Sequence, residues 1–170
     1  MNRTIKFRGK RIDNGEWVYG SLYRGISPHD RQPYSIILTD EKYDAEGHLP
    51  KDIVLGFFND EVFIIKANSV GQFTGLSDKN GNDIYEGDIV KNKEIGGYGM
   101  EYIGVVKYYN KDCRFGIDTT VTNEFTERIL FTDGECSLND GHCTITYINE
   151  YEVIGNIHDN PELIKQNKEE

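Results

Sequence analysis

Cysteine is scarce in this chain of 170 residues: Cys113, Cys136 and Cys143 are too few and too oddly numbered for a disulfide scaffold, and reduced thiols in a cytoplasm are the expected state. The opening Met1-Asn-Arg-Thr-Ile5 carries no apolar signal core, and no apolar run approaches the eighteen or so residues of a membrane span. The longest, Val62-Phe-Ile-Ile65, reads as a buried strand. A basic surplus is also missing. With a formal net charge of −10, the chain repels phosphate backbones rather than collecting them, which argues against nucleic acid as a non-specific partner. Two Met and few Ala beside Gly 18 and Tyr 11 disfavour a helical bundle and favour many short strands joined by tight turns. A chain of this length can bury about 70% of its unfolded surface, so one domain, with or without an appended subdomain, forms a core without staples.

What is present is organised around residues 70–90. Asn80-Gly81 sits between flanks that can pair, the signal of a tight hairpin in which both central residues take positive φ. Tyr85-Glu-Gly-Asp-Ile-Val90 reads as a turn feeding a strand: Gly87 supplies backbone freedom, Asp88 can accept from nearby amides, and Ile89 and Val90 are β-branched. Asp78, Asn80, Asn82, Asp83 and Glu86 place oxygen atoms at calcium-like intervals. The register fails, because the sixth position is Asp83 rather than Gly and the twelfth is Ile89 rather than an acid. Turn chemistry explains the same residues.

Charge is uneven. Arg3, Lys6, Arg8, Lys10, Arg11 and Arg24 face only Asp13 and Glu16 in residues 1–24, a local net of +4 that leaves −14 for the rest. The direct reading is a basic edge that discourages strand aggregation or lies against acidic surface on the same or a neighbouring chain; the alternative is a local nucleic-acid contact. Residues 4–8 alternate, with Ile5 and Phe7 on the buried face. A turn at Asp13-Asn-Gly15 leads to a second strand, residues 16–23, with Val18, Gly20 and Leu22 on one face and Trp17, Tyr19, Ser21 and Tyr23 on the other. Aromatic rings with polar tips anchor protein interfaces and stacked bases, so this face, with Tyr85, supplies the candidate contact residues, although the direct reading, because Trp and Tyr are more often packed than displayed, is that it packs inside the fold or in a homo-oligomer.

Residues 24–33 read as a loop, 34–39 as a strand with Tyr34, Ile36 and Leu38 in register, and 40–50 as a second loop. Residues 52–58 and 61–66 can pair as a hairpin, with helix open as an alternative for 52–66. Residues 93–99 form a Gly-rich loop before a strand at 100–109 that is central or bent at Gly104. Short strands follow at 112–118 and 127–131, a loop at 132–142, and strands at 143–148 and 151–157. Asn160 then caps a short C-terminal helix opened by Pro161.

Residues 5–10, 16–20, 104–108 and 151–163, together with the runs Gln72-Phe-Thr-Gly-Leu-Ser-Asp-Lys-Asn-Gly81, Ile84-Tyr-Glu-Gly-Asp-Ile-Val90 and Ile154-Gly-Asn-Ile-His-Asp-Asn-Pro161, resemble the YopX family of bacteriophage and prophage proteins. The resemblance covers roughly half the chain and implies a phage-encoded protein acting inside a bacterial cell, with a β-barrel core related to SH3-like barrels and the capacity to oligomerise. It brings no catalytic residues with it.

Nothing in the residues calls for a cofactor. Cys136, His142 and Cys143 with distant Cys113 carry zinc-binding atoms, yet their spacing matches no familiar zinc arrangement and adjacent His142 and Cys143 point to opposite faces of a strand. A nucleophilic pair of Cys143 or Cys113 with His142 or His158 lacks the helix N-terminus or cationic cluster that would form a thiolate, Arg114 apart. No Gly-rich loop follows a strand and opens a helix, so nucleotide binding gains no support. The expected molecule is all-β: an N-terminal hairpin and insertion over residues 1–68, then an SH3-like barrel or roll with a short C-terminal helix over residues 69–170. Its expected role is non-enzymatic, a homo-oligomer or the binder of a host or phage protein, with Trp17, Tyr19, Tyr23 and Tyr85 as contact residues. An acidic nucleic-acid-associated or DNA-mimicking protein is the alternative, and a small hydrolase the third reading.

Overall fold

Alternation of side chains around the turn at residues 12–14 yields the first hairpin of the computed structural model, which describes residues 4–27, 30–39, 62–92, 102–119, 128–130 and 151–164. Strand β1 (Phe7–Lys10) pairs antiparallel with β2 (Trp17–Ile26), Phe7 opposite Gly20 and Lys10 opposite Trp17. The Asn14 side chain closes the turn, its Oδ1 accepting the Glu16 N–H at 2.9 Å. β1 begins three residues later than the alternation predicts, and its burial does not alternate, since Arg8 and Gly9, on opposite faces, are both buried. Ile5 is 62% exposed, whereas Arg8 is only 6% exposed because its guanidinium lies over the Trp17 ring.

The chain divides into two compact units, Met1–Phe73 and Thr74–Glu170. In the first, β3 (Pro33–Leu38) pairs with β2 and with β4 (Val62–Ile64), while β1 pairs on its other side with the start of β5 (Gly71–Ser77), giving the order β4-β3-β2-β1-β5. β1 is therefore an interior strand, which corrects the expectation of a basic edge. The loop expected at residues 24–33 is shorter than predicted. Arg24, Gly25 and Ile26 continue β2 opposite Ser35, Tyr34 and Pro33, and the Tyr34 ring lies so close to Gly25 that a Cβ there would meet its Cζ at 2.8 Å. Ser35, Ile36, Ile37 and Leu38 are all buried, so β3 is covered on both faces; Tyr34 packs on the Ile36 and Leu38 pair, as their shared register predicts. Of the apolar run ending at Ile65, Ile65 is buried but Ile64 is half exposed, so the run is not the wholly buried strand expected.

In the second unit β5 runs on to a turn and β6 (Asp83–Tyr85). A five-stranded antiparallel sheet follows, formed by β7 (Asp88–Asn92), β8 (Tyr102–Tyr109), β9 (Arg114–Asp118), β10 (Arg128–Leu130) and β11 (Glu152–Asn156) in the order β10-β9-β8-β7-β11. β8 is its middle strand, as expected for a segment apolar on both faces. Ile84, Val90, Val106, Ile117 and Tyr151 form the core, with Leu76 and Val153 against it. Burying each aliphatic side chain of that set contributes about 1.5–3 kcal/mol. A register shift between Val153 and Gly155 marks a bulge at Ile154. The all-β expectation holds for the described residues, and the C-terminal helix is there a single 3-10 turn, Pro161–Ile164. The expectations for residues 40–61, 93–100, 132–142, 143–148 and 165–170, and for Cys136, His142 and Cys143, lie outside the described residues.

Candidate interaction surface

Residues directly opposite in an antiparallel pair share a face, so the register Arg8 to Tyr19 and Lys10 to Trp17 sets cations and rings side by side. The Arg8 Cζ lies 4.7 Å and the Lys10 Nζ 5.6 Å from the Trp17 ring centroid. One residue before β1, the Lys6 Nζ stands 4.6 Å from the Phe73 ring of β5, whose backbone N–H donates to the Lys6 carbonyl at 2.8 Å. On the opposite face Arg11 covers Phe63, its Cζ 4.3 Å from the ring centroid. Each such pair contributes about 0.5–2 kcal/mol. The basic residues of the N-terminal segment are thus interleaved with aromatic ones, and Trp17 is half-buried beneath two cations.

Farther along β2 the face opens. Tyr19 is 48% and Tyr23 51% exposed, and Tyr23 leans on Tyr34 with ring centroids 6.2 Å apart at 41°. Three of the four residues singled out from the sequence therefore share one sheet face. The fourth, Tyr85, is on β6 in the other unit and is 3% exposed, a core side chain whose backbone N–H is held by the Asp88 carboxylate at 2.7 Å. Its neighbours Ile84 and Asp88 are also buried, so alternation gives it no outward face.

The structure adds one residue that sequence reasoning assigned only to a turn. Asp78 Oδ1 accepts the backbone N–H groups of Asn80 and Asn82, both at 2.8 Å, while Oδ2 accepts the Asn82 side-chain amide and the Val153 N–H, both at 3.1 Å. Burial pushes this carboxyl up, but the hydrogen bonds from Val153, Asn82 and Asn80 outweigh it and hold the acid below its usual range. Four N–H donors occupy the oxygens that a calcium reading would have offered to a cation. The turn differs from the expected one: Gly81 has φ +84°, its N–H closes on the Asp78 carbonyl at 3.0 Å, and Asn80 is not in the positive region. The Asp78 N–H bonds the Asn82 carbonyl at 2.8 Å, so the loop is one residue longer than a two-residue hairpin. Gly87, at φ +84°, and Asp88 behave as the sequence predicts.

Cys113 is exposed, with its thiol 3.5 Å from the Asn110 carbonyl. The backbone N–H of His158 donates to Asn156 Oδ1 at 2.9 Å, placing His158 in the C-terminal turn. Asn160 does not cap the 3-10 turn with its side chain; its Oδ1 is directed back at the Asn156 N–H.

A family model described as YopX protein matches residues 6–165. No curated protein matches the sequence. Among solved structures, the crystal structure of protein EF1440 from Enterococcus faecalis is similar at 23% identity with a TM-score of 0.44, covering 96% of this chain and 99% of that one.

Proposed function

Because the chain belongs to the YopX family, and because its exposed aromatic residues share a sheet face with cations, we propose that it is a non-enzymatic interaction protein. Its contact surface is the β2 face bearing Trp17, Tyr19 and Tyr23, and its first partner is a second copy of itself. The observation that carries this is the half exposure of Tyr19 and Tyr23 beside a Trp17 whose ring lies under Arg8 and Lys10. Large rings with polar tips lose little conformational entropy on binding and bury much area, which makes them effective anchors. The setting that goes with this role is a bacterial cytoplasm and a phage or prophage genome.

Sedimentation equilibrium of the wild type and of a Tyr19→Ser, Tyr23→Ser variant tests it. The wild type should associate with rising concentration, and the variant should need roughly tenfold more protein to do so. A wild type that stays monomeric throughout, or a variant that associates equally well, would overturn the proposal.

A further inference from the structure

Independently of the β2 face, strand β11 has an unusual outer edge. Among the described residues it is the last strand of the five-stranded sheet, and only β7 pairs with it. Groups two residues apart on a strand point to the same side, so Tyr151 and Val153 face away from β7. Beyond the bulge Ile157 faces β7, donating to the Gly87 carbonyl at 3.0 Å, and Asn156 therefore faces outward. Such an outward row is where another strand would add.

Four outward groups on that row are met by other parts of the same unit. The Tyr151 carbonyl accepts the Lys79 N–H at 2.9 Å, and the Val153 N–H donates to Asp78 Oδ2 at 3.1 Å. The Asn156 carbonyl accepts the Asn160 N–H at 2.9 Å, and the Asn156 N–H is directed at Asn160 Oδ1 at 3.4 Å. At each end of β11 one backbone N–H and one side-chain oxygen reproduce the donor and acceptor that a neighbouring strand would present. Gly155 makes room for the second cap, since a Cβ there would lie 2.5 Å from Asn160 Oδ1. Residues 78–79 and Asn160, within the runs 72–81 and 154–161, supply the two caps.

We infer that Asp78 with Lys79, and Asn160 with its own backbone, act as built-in strand mimics that close the outer edge of β11 against strand addition by a second copy of this chain. The side-chain bridge Lys79 Nζ to Glu152 Oε2, at 2.6 Å, is exposed on both sides and is not the device. Removing a cap should convert a closed edge into a docking edge without altering the core.

The test uses the full chain carrying Tyr19→Ser and Tyr23→Ser as the parent, so that association beyond the parent's own is separate from the β2 face. In that background Lys79→Pro removes one N–H at the second position of the Asp78 to Gly81 turn, where proline is well tolerated, and Lys79→Ala removes only the salt bridge. Asp78→Ala removes the partner of Val153. Lys79→Pro and Asp78→Ala should associate by sedimentation at lower concentration than the parent, and Lys79→Ala no more readily than the parent. Val153 amide exchange should be slow in the parent and roughly tenfold faster in Asp78→Ala. Should Asp78→Ala fail to fold, Lys79→Pro and the parent's exchange decide. A Val153 amide in the parent that exchanges as fast as an unpaired one, or a natively folded Lys79→Pro that associates no more than Lys79→Ala, would overturn the inference.

Discussion

Asp78 holds its two oxygens among four N–H groups, and that arrangement gives it a titration signature. Its carboxyl ionises below the usual 3.8 in the folded chain, so the unfolded chain binds the proton more readily. The stability it contributes is therefore complete above the unfolded value and is lost as pH falls through the lower folded value. Denaturant unfolding followed from about pH 6 to about pH 2 should show this acid-side loss in the wild type, and Asp78→Asn should show a smaller one. An equal acid slope in both would mean that other carboxylates dominate. Arg8 is the second residue whose role is local. Trp17 is the single tryptophan, so its emission reports on the guanidinium above it. Arg8→Met keeps the apolar stem and removes the cation; it should shift Trp17 emission and cost about 1 kcal/mol in denaturant unfolding. Unchanged emission would remove Arg8 from the ring's environment.

At the level of the strand, β8 shows how closely two backbones can approach. A Cβ at Gly104 would stand 2.4 Å from Ile117 Cγ2 and 2.8 Å from the Asp118 carbonyl oxygen, so Gly104→Ala must push β9 away and should destabilise by about 1–3 kcal/mol in denaturant unfolding. A neutral result would mean that β9 yields freely. The place of β8 was legible because its apolar residues fall on both faces, which only a covered strand tolerates. The β6 to β7 turn was legible for an equally local reason, since Gly87 takes the positive φ and the Asp88 carboxylate reaches back only three residues to the Tyr85 N–H. The true length of β2 was not: Arg24-Gly-Ile26 has loop-like composition, and what makes it a strand is the Tyr34 ring across Gly25. The burial of Arg8 was hidden likewise, because alternation assigns charge to solvent and cannot see a ring waiting on the adjacent strand. Least visible was Asp78, whose decisive partner, Val153, is 75 residues away.

Taken as a whole, the chain is two units with separate sets of buried side chains, Ile36 and Leu38 in one and the Ile84 to Tyr151 cluster in the other. Ile84→Ala should cost about 2–5 kcal/mol by denaturant unfolding, the sum of lost transfer energy and a cavity, and a loss under about 1 kcal/mol would contradict its place at the centre of that core. The candidate surface was partly legible for the same physical reason that the cores were: period-2 alternation puts Trp17, Tyr19 and Tyr23 on one face whatever covers it. Tyr85 was misjudged because a three-residue strand buried on both sides leaves no alternation to read. The central claim is that the β2 face is where this protein meets another molecule, with a second copy first. Hydrogen exchange of the wild type at low and high protein concentration tests this most directly. Amides of residues 17–26 should become more protected as concentration rises, while those of residues 152–156 stay as they are; protection that rises at 152–156 instead, or nowhere, would contradict the account.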